Sequence, residues 1–361
     1  MRVALVDFTP NEYSFELANG LADGADVLLV AARERCDHYA KLLDARVAVH
    51  PYDLPRLRRA DRQIAAMAGV VRAIHRYRPH VVHLQMDHPW FSLALPALRR
   101  YPLVLTVHDP VPHLGDRPSA RKPRWLVARD RRRASAFVIH ADALRADLIA
   151  GGVDPARVWT IPHVALGLGV RPTPVPPGPP QILFFGRIWP YKGLDVLIRA
   201  APAIGAAVPD ARFVIAGRGE DFARYRAMMH DPGRYDVHNR YIAEDEVDAF
   251  FDAASVVVLP YVDASQSGVV SLAYSHARAV VATAVGGLPE VVDDGRTGRL
   301  VLPGDVDALA AAVVEVIADR RRADELGRAG REKLERECAP SVVGRRHLEL
   351  YDAVLTRAGR R

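Results

Sequence analysis

At 361 residues and 39.7 kDa the chain exceeds the usual size of one hydrophobic core, so two α/β domains are the first expectation. Half of its residues are hydrophobic and a quarter charged, with a formal net charge of +6 and a pI of about 9.4, a balance that excludes a disordered or fibrous chain. No apolar run approaches the roughly 20 residues of a membrane-spanning helix, and Met1 and Arg2 lead straight into the strand-like Val3 to Phe8 without a secretory leader, so the expected location is the cytoplasm.

The first half alternates short β-branched runs with helix-length intervals. Arg2 to Phe8, Val27 to Ala31, His80 to Leu84, Leu103 to Val107, Phe137 to His140 and Val158 to Ile161 read as strands buried on both faces, which implies βαβ units and a parallel sheet. Cys36 and Cys338 are far apart and lack ligand spacing, so neither a disulfide framework nor a zinc site is expected. Between Arg117 and Arg133 eight arginines and lysines stand against Asp130 alone, a local charge of +7 interrupted by Trp125, Leu126 and Val127. That pattern suits a helix on an anionic bilayer, and equally a solvated arginine-rich face. No nucleic-acid-binding module accompanies it, so no nucleic-acid partner is expected.

Residues 171–180, RPTPVPPGPP, can form neither helix nor central strand and read as a stiff linker. The expected domains are therefore 1–170 on the acceptor side, 181–340 for the donor, and a helical end, 341–361, free to return to the first domain. In the second domain Ile182 to Phe185, Arg212 to Ala216, Val256 to Leu259, Val280 to Thr283 and Arg299 to Leu302 read as a second parallel layer. Ligands of such sheets bind beyond the carboxyl ends of the strands, and two sheets facing one another make a cleft.

The sharpest local signal is ILFFGRIWPYKGLDVLIRA, from Ile182 to Ala200. A buried strand ends at Gly186, the loop offers Arg187 and Lys192, and Gly193 opens an apolar-periodic helix, a setting suited to a diphosphate. A surface Arg and Lys in an ordinary loop would give the same pattern. Next, a strand ending at Pro260 runs through the polar loop Asp263 to Gly268 into a helix. Backbone N–H groups around Ser267, Gly268 and Val269 would point at an anion or at sugar hydroxyls. VVATAVGGLPEVVDDGRTG then adds close-approach glycines and another helix start at Pro289 and Glu290.

With GRIWPYKGLDVLIRA, FVIAGRGED, VVATAVGGLPEVVDDGRTG and the helical tail in this order, the sequence resembles the family-4 retaining glycosyltransferases of the GT-B fold. The resemblance implies two Rossmann-like domains, a nucleoside-diphosphate sugar as donor, a hydroxyl-bearing acceptor and retention of anomeric configuration; with no DxD pair in a suitable loop and no His/Asp/Glu cluster of metal-ligand spacing, neither a metal nor a cofactor is expected. It implies that Arg187 and Lys192 hold the donor diphosphate, that the loop up to Gly268 cradles the sugar, and that backbone at Tyr241 and Ile242 lies against the base. VVHLQMDHP, TVHDP and VWTIPHV are weaker matches in the first domain. They place His108 at the transferred sugar and Asp109 beside it or at the acceptor, while His163 reads as structural. Two departures stand out. The family's paired glutamates align with Ala264 and Leu272, which leaves Gln266 and Ser267 for sugar hydroxyls. The first loop, TPNEYS, lacks the usual glycines, so Asn11, Tyr13 and Ser14 are assigned to the acceptor side.

The expected reaction is sugar transfer in cell-surface glycan, glycolipid or glycosylated-metabolite biosynthesis. The acceptor could be lipid-linked, with residues 117–133 resting on the inner face of the membrane. A nucleotide-sugar epimerase of the same fold and a non-catalytic nucleotide-binding protein are the alternatives. An ordinary dehydrogenase is disfavoured, because no GxGxxG joins the first strand to its helix.

Overall fold

The computed structural model describes residues 1–8, 12–86, 88–110, 123–219 and 222–359. They form two compact units, one divided from the other at Val164/Ala165 and again at Arg336/Glu337.

Unit 1 carries strands β1 (Arg2–Val6), β2 (Asp26–Ala32), β3 (Ala48–Tyr52), β4 (Val81–Leu84), β5 (Leu103–Thr106), β6 (Ala136–Ile139) and β7 (Val158–Thr160). All pair in parallel, in the order β3-β2-β1-β4-β5-β6-β7. Its helices are α1 (Glu12–Leu21), α2 (Arg33–His38), α3 (Ala60–Tyr77), α4 (Pro89–Ala94), α5 (Arg124–Arg133) and α6 (Arg145–Ala150). Four strands in a row, β4, β5, β6 and the inner part of β1, are buried on both faces because helices cover each side, and this is why they read as unbroken apolar runs. Edge strand β3 was missing from the sequence reading. Its AVHPY pattern leaves the first residues exposed, and a proline is tolerated at an edge where no ladder partner needs its N–H.

Unit 2 carries β8 (Gln181–Phe185), β9 (Arg212–Ala216), β10 (Tyr235–His238), β11 (Val256–Leu259), β12 (Ala279–Thr283) and β13 (Gly298–Val301), parallel in the order β10-β9-β8-β11-β12-β13. Around them lie α7 (Leu194–Ala207), α8 (Phe222–Met228), α9 (Glu244–Ala253), α10 (Gly268–Ser275), α11 (Leu288–Val291), α12 (Val306–Ala318) and α13 (Arg320–Cys338). Here too the unanticipated strand is an edge, β10, whose YDVH side chains are at best half-buried. The proline-rich segment 171–180 is tied to this unit. Val175 enters the core and its N–H donates to Asp324 at 2.8 Å, while fully buried Arg278 donates to the Thr173 carbonyl at 2.7 Å.

The last helix, α14 (Pro340–Gly359), belongs to unit 1 and packs on α1. The helices cross at glycines: a Cβ on Gly20 would stand 1.8 Å from the Pro340 carbonyl oxygen, and one on Gly344 would stand 2.2 Å from that of Gly20. Tyr351 of α14 reaches into the unit and pairs its hydroxyl with His83 Nδ1 at 2.6 Å. Among the described residues no helix is long and apolar enough to cross a membrane.

Candidate functional site

In unit 2 the loop after β8 leaves the carboxyl end of a central strand. Gly186 N still donates to the Ala216 carbonyl at 2.9 Å, and a Cβ built on Gly186 would lie 3.7 Å from Val269 Cγ2, so this loop runs beside the first turn of α10. Arg187 is exposed. Its guanidinium donates to the Tyr191 hydroxyl at 3.2 Å and lies 5.7 Å from the centre of the Trp189 ring. Lys192 is half-buried, with Nζ 3.7 Å from the centre of the Tyr261 ring and 5.1 Å from that of Tyr191. The negative ring faces attract the ammonium and limit where it can go.

Backbone geometry fixes this seat. Gly193 has φ +66°, and a Cβ there would meet the Pro260 carbonyl oxygen at 1.9 Å, so only glycine lets the Lys192 loop close onto the end of β11. Val262 N then donates to the Tyr191 carbonyl at 2.8 Å. Burial pushes the Tyr261 phenol up to about 12, against the opposing pull of Ser267 and Arg187, so the ring beneath Lys192 stays neutral at pH 7. Its hydroxyl lies 3.2 Å from Ser267 Oγ, and Ser267 caps α10 by accepting from Val269 N at 3.3 Å.

Gly186 thus lies beside Val269, Lys192 is linked through Tyr261 to Ser267, the cap ahead of Gly268, and Arg187 is held by Tyr191 on the same loop, with Gln266 half-buried just ahead of the cap. Tyr241 and Ile242 do not join them directly. They follow β10, two strands from β8, with Tyr241 65% exposed and Ile242 buried. Ala264 is buried, and Leu272 packs beside Gly167, where Leu166 N donates to Ser271 Oγ at 2.8 Å. The position that aligns with the family's second glutamate is therefore an apolar, half-buried side chain beside the 166–167 segment. Sequence reasoning missed Tyr191 and Tyr261; the available signal was a tyrosine directly beside each of the two loops' key positions.

In unit 1 the corresponding strand ends carry histidines. His108 lies just beyond β5, His140 directly follows β6, and His163 stands shortly after β7. Their ring centres are 4.9 Å apart for His108 and His140, 5.2 Å for His140 and His163, and 6.5 Å for His108 and His163. Tyr13, in the first turn of α1, joins all three at 5.6, 5.4 and 4.4 Å. His163, read from sequence as structural, is thus a full member of the group, and His140 was not singled out at all. The signal was there: a histidine follows three successive strands of one sheet, and parallel register brings such positions together.

Burial holds the three imidazoles neutral. It pulls His163 down to about 3 and His140 well below the ordinary value, with the neighbouring histidines adding to the shift; for His108 burial outweighs the opposing charge of exposed Asp109. Behind them a polar chain runs through Thr106, whose Oγ1 is 2.9 Å from His83 Nε2, to Tyr351 on α14. Ser14 is fully buried and donates its hydroxyl to Asp7, so its side chain is committed to the interior. Asn11 lies outside the described residues. Of the basic segment, residues 117 to 122 also lie outside them. On α5 Arg129 donates to the Ser92 carbonyl and Arg133 to those of Leu98 and Tyr101, so two of its arginines serve the fold, while Trp125 is 60% exposed.

Two family descriptions match along the chain: Glycosyltransferase Family 4 over residues 11–164, and Glycosyl transferases group 1 over residues 179–319. A D-inositol 3-phosphate glycosyltransferase of Pseudarthrobacter chlorophenolicus is 31% identical over 331 residues, covering 81% of this chain and 77% of that protein. The chain belongs to glycosyltransferase family 4. This glycosyltransferase is also similar to the GDP-mannose-dependent alpha-(1-6)-phosphatidylinositol monomannoside mannosyltransferase of Mycolicibacterium smegmatis, at 37% identity over 46% of the chain; the chain spans 44% of that relative's length. Among solved structures, Anabaena Alr3699/HepE in complex with UDP and glucose superposes with a TM-score of 0.73 over 98% of this chain and 100% of that one, at 16% identity, a likeness of fold. The two parallel-sheet domains of the GT-B type expected from the sequence are those of this family-4 glycosyltransferase.

Proposed function

We propose that this glycosyltransferase moves a hexose-like unit from a nucleoside diphosphate to an acceptor hydroxyl with retention of configuration and without a metal ion. The observation that carries the reading is the pair of cations, Arg187 and Lys192, seated on tyrosines at the amino terminus of α10. A diphosphate placed there meets a guanidinium, an ammonium and backbone N–H groups together. As the glycosidic bond breaks, negative charge grows on the leaving diphosphate, and prepositioned positive groups stabilise that charge more than they stabilise the intact donor. The acceptor hydroxyl forms the new bond to the anomeric carbon, and its proton passes to the departing diphosphate oxygen, so no side chain need act as general base. The two fixed cations take the part that magnesium plays where a protein supplies only carboxylates. Similarity to a GDP-mannose-dependent mannosyltransferase and to a protein solved in complex with UDP and glucose supports a nucleoside-diphosphate hexose as donor.

In this reading Ser267, Gly268, Val269 and Gln266 serve the donor sugar, Tyr241 and Ile242 the base, and His108 the transferred sugar, with Tyr13 and Asp109 on the acceptor side. Trp125 exposed among the arginines of α5 supports peripheral contact with an anionic membrane and a lipid-linked acceptor. The deciding experiment measures sugar transfer and donor breakdown by the purified full chain with Arg187→Ala. A large fall in kcat of the variant is expected, and transfer by the parent protein should be insensitive to EDTA. Unchanged transfer by the variant would remove the diphosphate assignment, and conversion of donor to an isomeric sugar nucleotide without acceptor would instead make the chain an epimerase.

A further inference from the structure

The histidine group of unit 1 has a chemical polarity of its own. His140 Nδ1 lies 3.0 Å from the Ile161 carbonyl oxygen, and His163 Nδ1 lies 2.7 Å from that of Val164. A carbonyl oxygen only accepts, so each Nδ1 carries the hydrogen, and in a neutral ring each Nε2 is then left with a lone pair. The His108 ring likewise hydrogen-bonds to the main chain of Gln85. His140 is 6% exposed, and its Nε2 is buried with no hydrogen-bond partner among the described residues. A buried acceptor left in that state is unfavourable, so it calls for a ligand donor. His108 and His163 beside it are half-buried rather than fully enclosed.

Two kinds of ligand commonly satisfy imidazole lone pairs, a metal ion and an O–H or N–H donor. Among the described residues no three His, Cys, Asp or Glu side chains have the geometry to share one ion. An anion is also a poor match. Lone pairs repel it, and protonating the rings to attract it works against burial and against the neighbouring histidines.

We propose that His140 and His163, tethered through Nδ1 to the main chain beside Tyr13 and His108, form a charge-neutral subsite that accepts hydrogen bonds from the hydroxyls of a sugar or cyclitol and discriminates against a phosphate at that position. The proposal rests on the glycosyltransferase reading and narrows it. Whatever charge the acceptor carries lies elsewhere on the molecule, and the part held here is an uncharged polyol. His140 and His163 are specificity-determining residues in this scheme, since neither need touch the reacting atoms.

The test uses the full chain with 15N-labelled imidazoles, observed by NMR while methyl α-glucoside, myo-inositol, inorganic phosphate or Zn2+ is titrated in. Nδ1–H tautomers for His140 and His163, with Nε2 resonances that move on addition of at least one polyol and stay still with phosphate, are expected. His140→Asn keeps a donor at the Nδ1 position but deletes Nε2, and His140→Gln places a polar atom at the Nε2 position. The Asn variant should bind the polyol about tenfold more weakly, the loss of roughly one hydrogen bond, with affinity partly restored in the Gln variant. His163→Asn repeats the comparison should the His140 variants unfold. Tighter binding of phosphate than of either polyol, no response to any polyol, unaltered affinity in both Asn variants, or stoichiometric Zn2+ binding lost in them would each overturn the proposal. UDP and GDP binding, measured in parallel, separates the two claims. A chain that binds nucleotide but ignores polyols loses only the hydroxyl subsite, whereas one that binds neither loses the transferase reading as well.

Discussion

The two units place their chemistry at the same topological address, beyond the carboxyl ends of central parallel strands, and fill it with opposite materials. Unit 2 presents permanent positive charge, Arg187 and Lys192, steadied by the uncharged rings of Tyr191 and Tyr261. Unit 1 presents titratable groups that burial has stripped of charge, His108, His140 and His163, with two of them held by main-chain carbonyls. A scaffold that supplies helix amino termini and strand ends in both units does not by itself decide between anion and hydroxyl recognition. The side chains do, and the difference divides the proposed labour: charge where a pyrophosphate must depart, neutrality where an alcohol must be positioned.

That contrast can be broken most sharply at Lys192. Lys192→Ala should lower kcat by about 100- to 1,000-fold, as removal of one prepositioned transition-state donor typically does, with polyol binding to unit 1 unchanged. Steady-state transfer assays and the NMR titration together check both halves; equal loss in both would mean that the lysine supports the fold rather than the chemistry. Next in size, Gly193→Ala forces a side chain into a left-handed turn against the Pro260 carbonyl and should destabilise the protein by about 2–3 kcal/mol, read from urea unfolding. Tyr261→Leu removes the seat under the ammonium while keeping apolar bulk. Donor affinity should fall by about 1–2 kcal/mol through the lost cation–π contact, and a variant with parental donor affinity would show that the ring does not place the lysine.

The smallest effect near neutrality comes from pH and belongs to unit 1. Histidines with native values below 6.5 bind fewer protons folded than unfolded, so stability is complete above that value and falls as the pH drops, the contribution being lost down to about 4 for His347 and about 3 for His163. Depressed carboxylates such as Glu246, at about 2, act in the same direction only at lower pH. Thermal unfolding between pH 6.5 and about 5 should therefore show a declining Tm whose slope is shallower in His163→Gln. A slope unchanged by that substitution would mean His163 is protonated in the native state and the neutral character of the group is lost.

Much of this protein is written locally. The buried parallel strands appear as unbroken runs such as Val256–Leu259 because both faces are covered, and the loop–helix pair from Gly186 to Lys192 is legible because its residues are neighbours in the chain. Edge strands β3 and β10 were not legible, since with few buried faces they carry no pattern that distinguishes them from coil. The positions of Ala264 and Leu272 announced a departure, but only the packing of Leu272 beside Gly167 shows what occupies that helix face.

By itself, the sequence determined the repeated βα alternation and the two cations of one loop, because propensity and hydrophobic period act over a few residues. Only the tertiary structure decided that three histidines, from Val107–His108, Ile139–His140 and Pro162–His163, meet one another and Tyr13. It also decided that Lys192 rests on Tyr261, nearly seventy residues along the chain, as about 3.8 Å per Cα step would otherwise keep them far apart. Charge state and contact across such separations depend on burial and on register between strands, and neither exists until the sheets have formed.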